Sequence, residues 1–318
     1  MIKILAIWFF AVILSYATQT ILPLQQIDVG GVAKDIIVKD SKLYVGIDMG
    51  KLRVYDYIQE KFIKDIEIPT VKDFTGEVMP ARVASIDYLD GRYLLLSDSG
   101  IMGYTNLRMH ENNTTVDLFD HTEKVSIVKV RFIDTNRVLM GTLGNEAVLF
   151  DIEKRKEIYR EQLTPSKFSD FALTKDKKLA VFGCESGVMS IIDTSTGKVV
   201  KELKGINLDN TYKVDMKSGI VAGAGQDRKG SIYDAETGKG DFIEGSFLIY
   251  AAGLSPSAKR VAFAMDEKNN IYVYNTSTKS QIALLKGQKS TLNAIVFVDE
   301  NTIFSASDDR TVMMWKLN

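Results

Sequence analysis

A chain of 318 residues that is 45% apolar and 25% charged can bury a substantial core and lacks the polar bias of a disordered protein. Its 40 basic and 41 acidic side chains are interleaved and leave a net charge of -1, so no basic stripe exists to draw counterions off nucleic acid, which argues against a nucleic-acid partner. With five prolines and no Gly/Ser-rich or like-charge tract, the chain reads as one domain without a linker.

The amino terminus is a different kind of sequence. Lys3 precedes an apolar run from Ile4 to Leu14 that ends in Ser15-Tyr16-Ala17, a small-x-small site suited to cleavage after Ala17. The run is too short for a helix across a bilayer core, which takes roughly 20 residues. Residues 1–17 are therefore expected to be a cleaved signal peptide that sends residues 18–318 to the periplasm, with no stable membrane insertion afterwards.

From there on a short apolar run ends repeatedly in a bulky residue, at Tyr55, Tyr104, Phe150, Ile192, Tyr233, Tyr274 and Trp315, at intervals of 49, 46, 42, 41, 41 and 41. Such regularity, with four short strands per unit, predicts an all-β chain folded as a seven-bladed β-propeller. In the second unit Val83 to Tyr88, Asp90-Gly91 and Arg92 to Asp98 read as strand, turn and strand, the Asp-Gly being a strong hairpin signal. The fourth unit repeats this with Asp170 to Leu173 and Lys178 to Val181. After each third strand comes a more polar fourth, such as Lys198 to Leu203 or Gln281 to Leu285, fit for a solvent-facing edge. The chain stops three residues after Trp315, so the last unit lacks its fourth strand, and Ile21 to Asp28 has the composition to supply it.

Candidates for chemistry are few. His110 and His121, placed in a long third-to-fourth-strand connection of the second unit, fall short of a zinc ligand set and read as surface residues. Cys184, the one cysteine, ends the apolar run from Leu179 and reads as a buried inert thiol in an inner strand. Gly219 to Gly225 has no following helix or lysine and reads as an inner strand, not as a phosphate loop. No nucleophile and base stand in a recognisable arrangement. No catalytic residue, metal or cofactor is expected.

Binding is better supported. Asp48, Asp98, Glu185, Asp227, Asp266 and Asp308 fall six to eight residues before their markers, in the turns between second and third strands at one end of the propeller. They form either a negative funnel for a cationic ligand or turns favoured by Asp for local bonding. Thr70 to Arg82, joining the first two blades at the same end, is longer than the template and carries Phe74, Met79 and Arg82, a composition enriched at contact surfaces. The connection from Met109 to Thr115 lies at the opposite end, and its Asn113 stands in Glu111-Asn112-Asn113-Thr114-Thr115, an N-glycosylation acceptor pattern.

The last unit resembles a WD40 repeat from Ser305 to Trp315, with Lys316 where that family has aspartate. The pair survives elsewhere as Tyr55-Asp56, Phe150-Asp151, Ile192-Asp193 and Tyr233-Asp234. Gly287-Gln288 stands in place of the family's opening Gly-His, so its His-centred hydrogen-bond network is expected to be absent. In size, leader and degenerate repeats the chain also resembles the NapL-type accessory proteins of bacterial periplasmic nitrate reductase systems. That resemblance implies a monomeric, non-catalytic scaffold that supports maturation or activity of a periplasmic partner, a nitrate reductase component. An envelope assembly factor differs from this only in the partner, whereas a lactonase-like hydrolase would need inward Asp, Asn, Glu or His ligands around a metal.

Overall fold

The computed structural model describes residues 19–318; the expected leader and its cleavage site lie outside the described residues. Among those residues, seven sheets stand around an axis, six of four antiparallel strands and one with a fifth strand added at its outer edge. The inner strands, in order Ala33–Lys39, Val83–Leu89, Ile127–Phe132, Phe168–Leu173, Thr211–Lys217, Ala251–Leu254 and Leu292–Phe297, touch one another in turn, and the last touches the first. The molecule is the seven-bladed β-propeller that the spacing predicts.

Why these segments form blades follows from their burial. Second and third strands such as Lys42–Ile47 and Glu146–Asp151 are buried on both faces because each sheet is sandwiched between two others, and they are accordingly continuous apolar runs. Outer strands such as Lys156–Gln162 alternate between exposed and half-buried positions. The core is divided into seven apolar clusters, one in each seam between blades. In the seam between the sixth and seventh blades, for example, Trp315 packs with Ile303, Val273 and Ile271.

The marker aspartates also acquire a physical role. Asp56 accepts from the backbone N–H groups of Ile58 and Gln59, Asp193 from those of Ser195 and Thr196, and Asp234 from that of Thr237. Each caps the hairpin between third and fourth strands, so the aromatic-Asp pair is a buried anchor followed by a turn-former.

The structure corrects four details. Ile21 to Asp28 is not one strand: Gln25–Asp28 pairs antiparallel with Thr311–Lys316 and completes the seventh blade, while Gln19–Ile21 runs parallel to Gln281–Leu285 as a fifth strand of the sixth. Pro23 lies between them. Second, Tyr104 precedes its strand, Thr105–Glu111, and the residue opposite Tyr93, as Tyr55 is opposite Leu43, is His110. Counted through His110 the spacings become 55, 40, 42, 41, 41 and 41, so all the extra length falls between the first two blades' third strands. Third, Met109 to Thr115 is no long connection but a hairpin turning on Asn112 and Asn113, both at positive φ. Fourth, Leu179–Cys184 and Ile220–Gly225 are second strands, not inner ones. At Gly287-Gln288 a network exists without histidine: Trp315 Nε1 and Gln288 Nε2 both donate to Ser305 Oγ, at 2.8 and 2.9 Å, and Ser307 Oγ donates to Gln288 Oε1. An amide supplies the donor and acceptor that imidazole would supply.

His110 is thus buried, not a surface residue. Its Nδ1 lies 2.8 Å from Thr115 Oγ1, its ring meets the edge of Tyr93, and its Nε2 has no partner. Burial, aided by the Lys64 ammonium, holds its pKa below the ordinary range. The unfolded imidazole then binds a proton more readily than the folded one, so stability falls as pH drops through the unfolded pKa near ~6.5. Thermal melts at about pH 7.5 and 5.5 should show a fall of a few degrees that shrinks in His110→Phe; an equal fall in that variant would refute the assignment.

Candidate interaction surface

The extra length between the first two blades builds a surface. Val71–Lys72 and Val78–Met79 pair as a small hairpin between blades, and its tip is fixed by Asp73. The Asp73 carboxylate accepts from Thr75 Oγ1 at 2.6 Å and from the N–H groups of Thr75 and Glu77, and these bonds hold its pKa below the usual carboxylate range. Phe74, sitting in this turn, is 96% exposed.

A second loop braces the first. Ser99 to Tyr104, inserted between the second and third strands of blade two, is closed by Ser99 Oγ donating to the Tyr104 carbonyl at 2.7 Å and by Tyr104 N–H donating to Ile101. Gly100, at φ +76°, lies so near Lys72 that a Cβ would stand 2.1 Å from the Lys72 carbonyl oxygen. Only glycine fits there. The two loops enclose a recess of about 310 Å³ lined by Lys72, Phe74, Ile101 and Met102. Met102 is 85% exposed, and Val78, Met79, Ile101 and Met49 are also exposed. Large apolar side chains held out together on hydrogen-bonded loops make this patch a candidate contact surface.

Of the residues singled out from sequence, Phe74 and Met79 fall on this surface, but Arg82 does not join them. It pairs with Asp98 at 3.0 Å and faces the axis. The six acidic residues lie around one end of the propeller, each engaged by a hydrogen bond or an ion pair, Asp308 across the seam to the first blade. Asp48 accepts from Val32 N–H; Asp227 accepts from Asn207 Nδ2 and Leu208 N–H; Asp266 is bonded by Asn270 and Tyr272; Glu185 pairs with Lys167 and Asp308 with Lys34. Among the described residues no three His, Cys, Asp or Glu side chains converge as a metal-ligand group. Cys184 is buried, with Ser186 Oγ 3.2 Å from its sulfur. Asn113 is exposed at its hairpin tip, at the other end of the molecule.

Apart from Arg82, the charged residues that line the axis are ones that sequence reading missed. A cavity of about 220 Å³ at the mouth is faced by Lys34, Arg82, Lys129, Lys213, Asp35 and Asp170. It adjoins an axial cavity of about 340 Å³ that shares Asp35, Lys129, Asp170 and Lys213. Lys129 meets Asp170 at 2.6 Å, with Lys213 3.9 Å away, and Arg131 forks onto Asp35 at 2.9 and 3.1 Å. Burial lowers the Lys129 pKa; Asp170 opposes this, and the neighbouring Arg131 and Lys213 cations add to it.

No protein-family model matches the chain. It is 24% identical over 199 residues to the WD repeat-containing protein 26 homolog of Arabidopsis thaliana, a match that covers 58% of this chain and 32% of that protein. With seven blades, aspartate-capped third strands and a Trp315–Ser305–Gln288 network already in view, the likeness is one of build. The molecule is a seven-bladed β-propeller with some likeness to a WD repeat protein. The aligned stretch is about a third of that protein's length.

Proposed function

We propose that this WD40-like propeller is a non-catalytic scaffold, exported by its leader, that holds a protein partner on the Phe74–Met102 surface. The observation that carries this reading is the exposure of Phe74 and Met102 on two loops braced against each other. A preformed apolar recess rimmed by polar groups is what a partner's anchoring side chain requires. The narrower form assigns the partner to a periplasmic nitrate reductase system, on the strength of the NapL-type resemblance. Affinity capture on the native chain and on a Phe74→Asp/Met102→Asp variant, with bound proteins identified by mass spectrometry, tests both. The variant should melt like the native protein, because neither side chain is buried, and should retain a tenth or less of the specific partner. Undiminished capture would sink the surface. Capture that depends on the surface but contains no nitrate reductase component would sink the narrower assignment alone.

A further inference from the structure

The axial mouth carries the opposite charge from the one its turns suggest. Of the outward carboxylates, Asp48, Asp227 and Asp266 are taken up by hydrogen bonds and Glu185 by Lys167, while Asp98 and Asp308 pair with Arg82 and Lys34 of the mouth itself. Inside, four cations face the cavity against two carboxylates, and of those two Asp35 is held by Arg131 from outside the mouth. Lys34 and Arg82 are tied only through partly exposed pairs with Asp308 and Asp98. Such pairs are worth about 0–1 kcal/mol and yield readily to a better-placed anion. Lys213, at 3.9 Å from an aspartate that already holds Lys129 at 2.6 Å, is the least compensated of the set. Because the whole chain has a net charge of -1, this is a local field and not a property of a basic protein.

We infer that the axial mouth receives an acidic segment of the docked partner, whose Asp or Glu carboxylates meet Lys34, Arg82 and Lys213. Arg82 follows the hairpin by three residues and also lines the mouth, so a chain anchored at Phe74 passes over Arg82 on its way to the axis. This rests on the scaffold reading for the source of the segment, though the mouth's preference for anions stands apart from it.

Fluorescein-labelled hexaglutamate and hexalysine peptides, followed by anisotropy on the full chain at low ionic strength, decide the charge. Hexaglutamate should bind more tightly than hexalysine, weaken steeply with added salt, and lose at least fivefold in affinity in Lys34→Met/Lys213→Met. Methionine keeps the apolar stem and removes the charge, and an unchanged melting temperature checks the fold; if that pair melts lower, Lys213→Met alone serves. Tighter binding of hexalysine, or hexaglutamate binding untouched by these variants, would overturn the inference. The Phe74→Asp/Met102→Asp variant should leave hexaglutamate binding within twofold while it loses the partner, so the scaffold reading and the anionic mouth fail on different measurements.

Discussion

Arg131→Met should destabilise the propeller by about 3–5 kcal/mol, the cost of leaving one member of a buried ion pair behind. The guanidinium forks onto Asp35 at 2.9 and 3.1 Å, and it also donates to Ser85 Oγ and to the carbonyl oxygens of Ile86 and Val130. Both partners are mostly buried, with side-chain exposures of 15% and 14%. Burial alone would push the Asp35 carboxyl up, but Arg131, with Lys129 behind it, brings it below its ordinary value. A depressed folded pKa means that this contribution is present above the unfolded carboxyl value of about 3.9 and is lost as pH falls through the folded one. Without Arg131 the burial is opposed only by Lys129 and the Ile86 N–H, so the carboxyl rises and the variant's deficit should shrink as pH falls from about 7 towards 4. Urea unfolding at both pH values reads this. Asp35→Asn/Arg131→Met should recover half or more of the loss, because no uncompensated charge remains. A deficit independent of pH, or a double variant no better than the single, would show that packing and not charge is lost.

That ion pair is one stitch of a row between neighbouring inner strands, and the row explains what the sequence conceals. Asp35 accepts from Ile86 N–H, Asp87 from Phe132, Asp170 from Val214 and Asp215 from Leu254, each carboxylate bonding the next blade's backbone. In sequence each is a single acid within an apolar run, which alternation alone assigns to solvent. A bulge then breaks that alternation near the start of the inner strand, as between Ala33 and Asp35, Phe168 and Asp170, or Thr211 and Lys213. One added residue re-aims the side chains beyond it, so period-two reasoning fails where the axis is lined.

Blade number was legible for the converse reason. Third strands lie between two sheets and must be apolar, and they recur at a nearly fixed interval, so Phe150, Ile192, Tyr233, Tyr274 and Trp315 all mark equivalent positions. The rule slips only where a polar side chain fills the position, at His110, six residues after the aromatic Tyr104 that stands in its place in the sequence pattern. Phe74 and Met79 were legible because apolar residues in a long connection lack a strand to bury them. Met102 and Ile101 were not, since the misplaced marker put them inside a strand.

Closure of the ring gives the other large effect. Removing residues up to Asp28 should cost several times what removing Gln19–Ile21 costs, because the two short strands do different work. Gln25–Asp28 pairs with Thr311 to Met314 and inserts Ile27, 4% exposed, among Val312, Phe304 and Leu43, which joins the last blade to the first. Truncating a side chain so buried costs about 2–5 kcal/mol, and losing the strand also leaves a row of unpaired backbone groups beside an open seam. The exposed Asp28–Arg310 pair adds little to this. Gln19–Ile21 instead extends the sixth blade, which already has four strands, and buries only Ile21. Ile27→Ala should therefore lower stability by about 2–5 kcal/mol in urea, and a chain beginning at Leu22 should lose about 1–3 kcal/mol. A chain beginning at Val29 should melt at least 10 °C lower or fail to fold, at roughly 2–4 °C per kcal/mol. Equal melting temperatures for the chains beginning at Leu22 and at Val29 would mean that the ring is held shut by the contact between its inner strands, Leu292–Phe297 and Ala33–Lys39, and not by the amino-terminal strand.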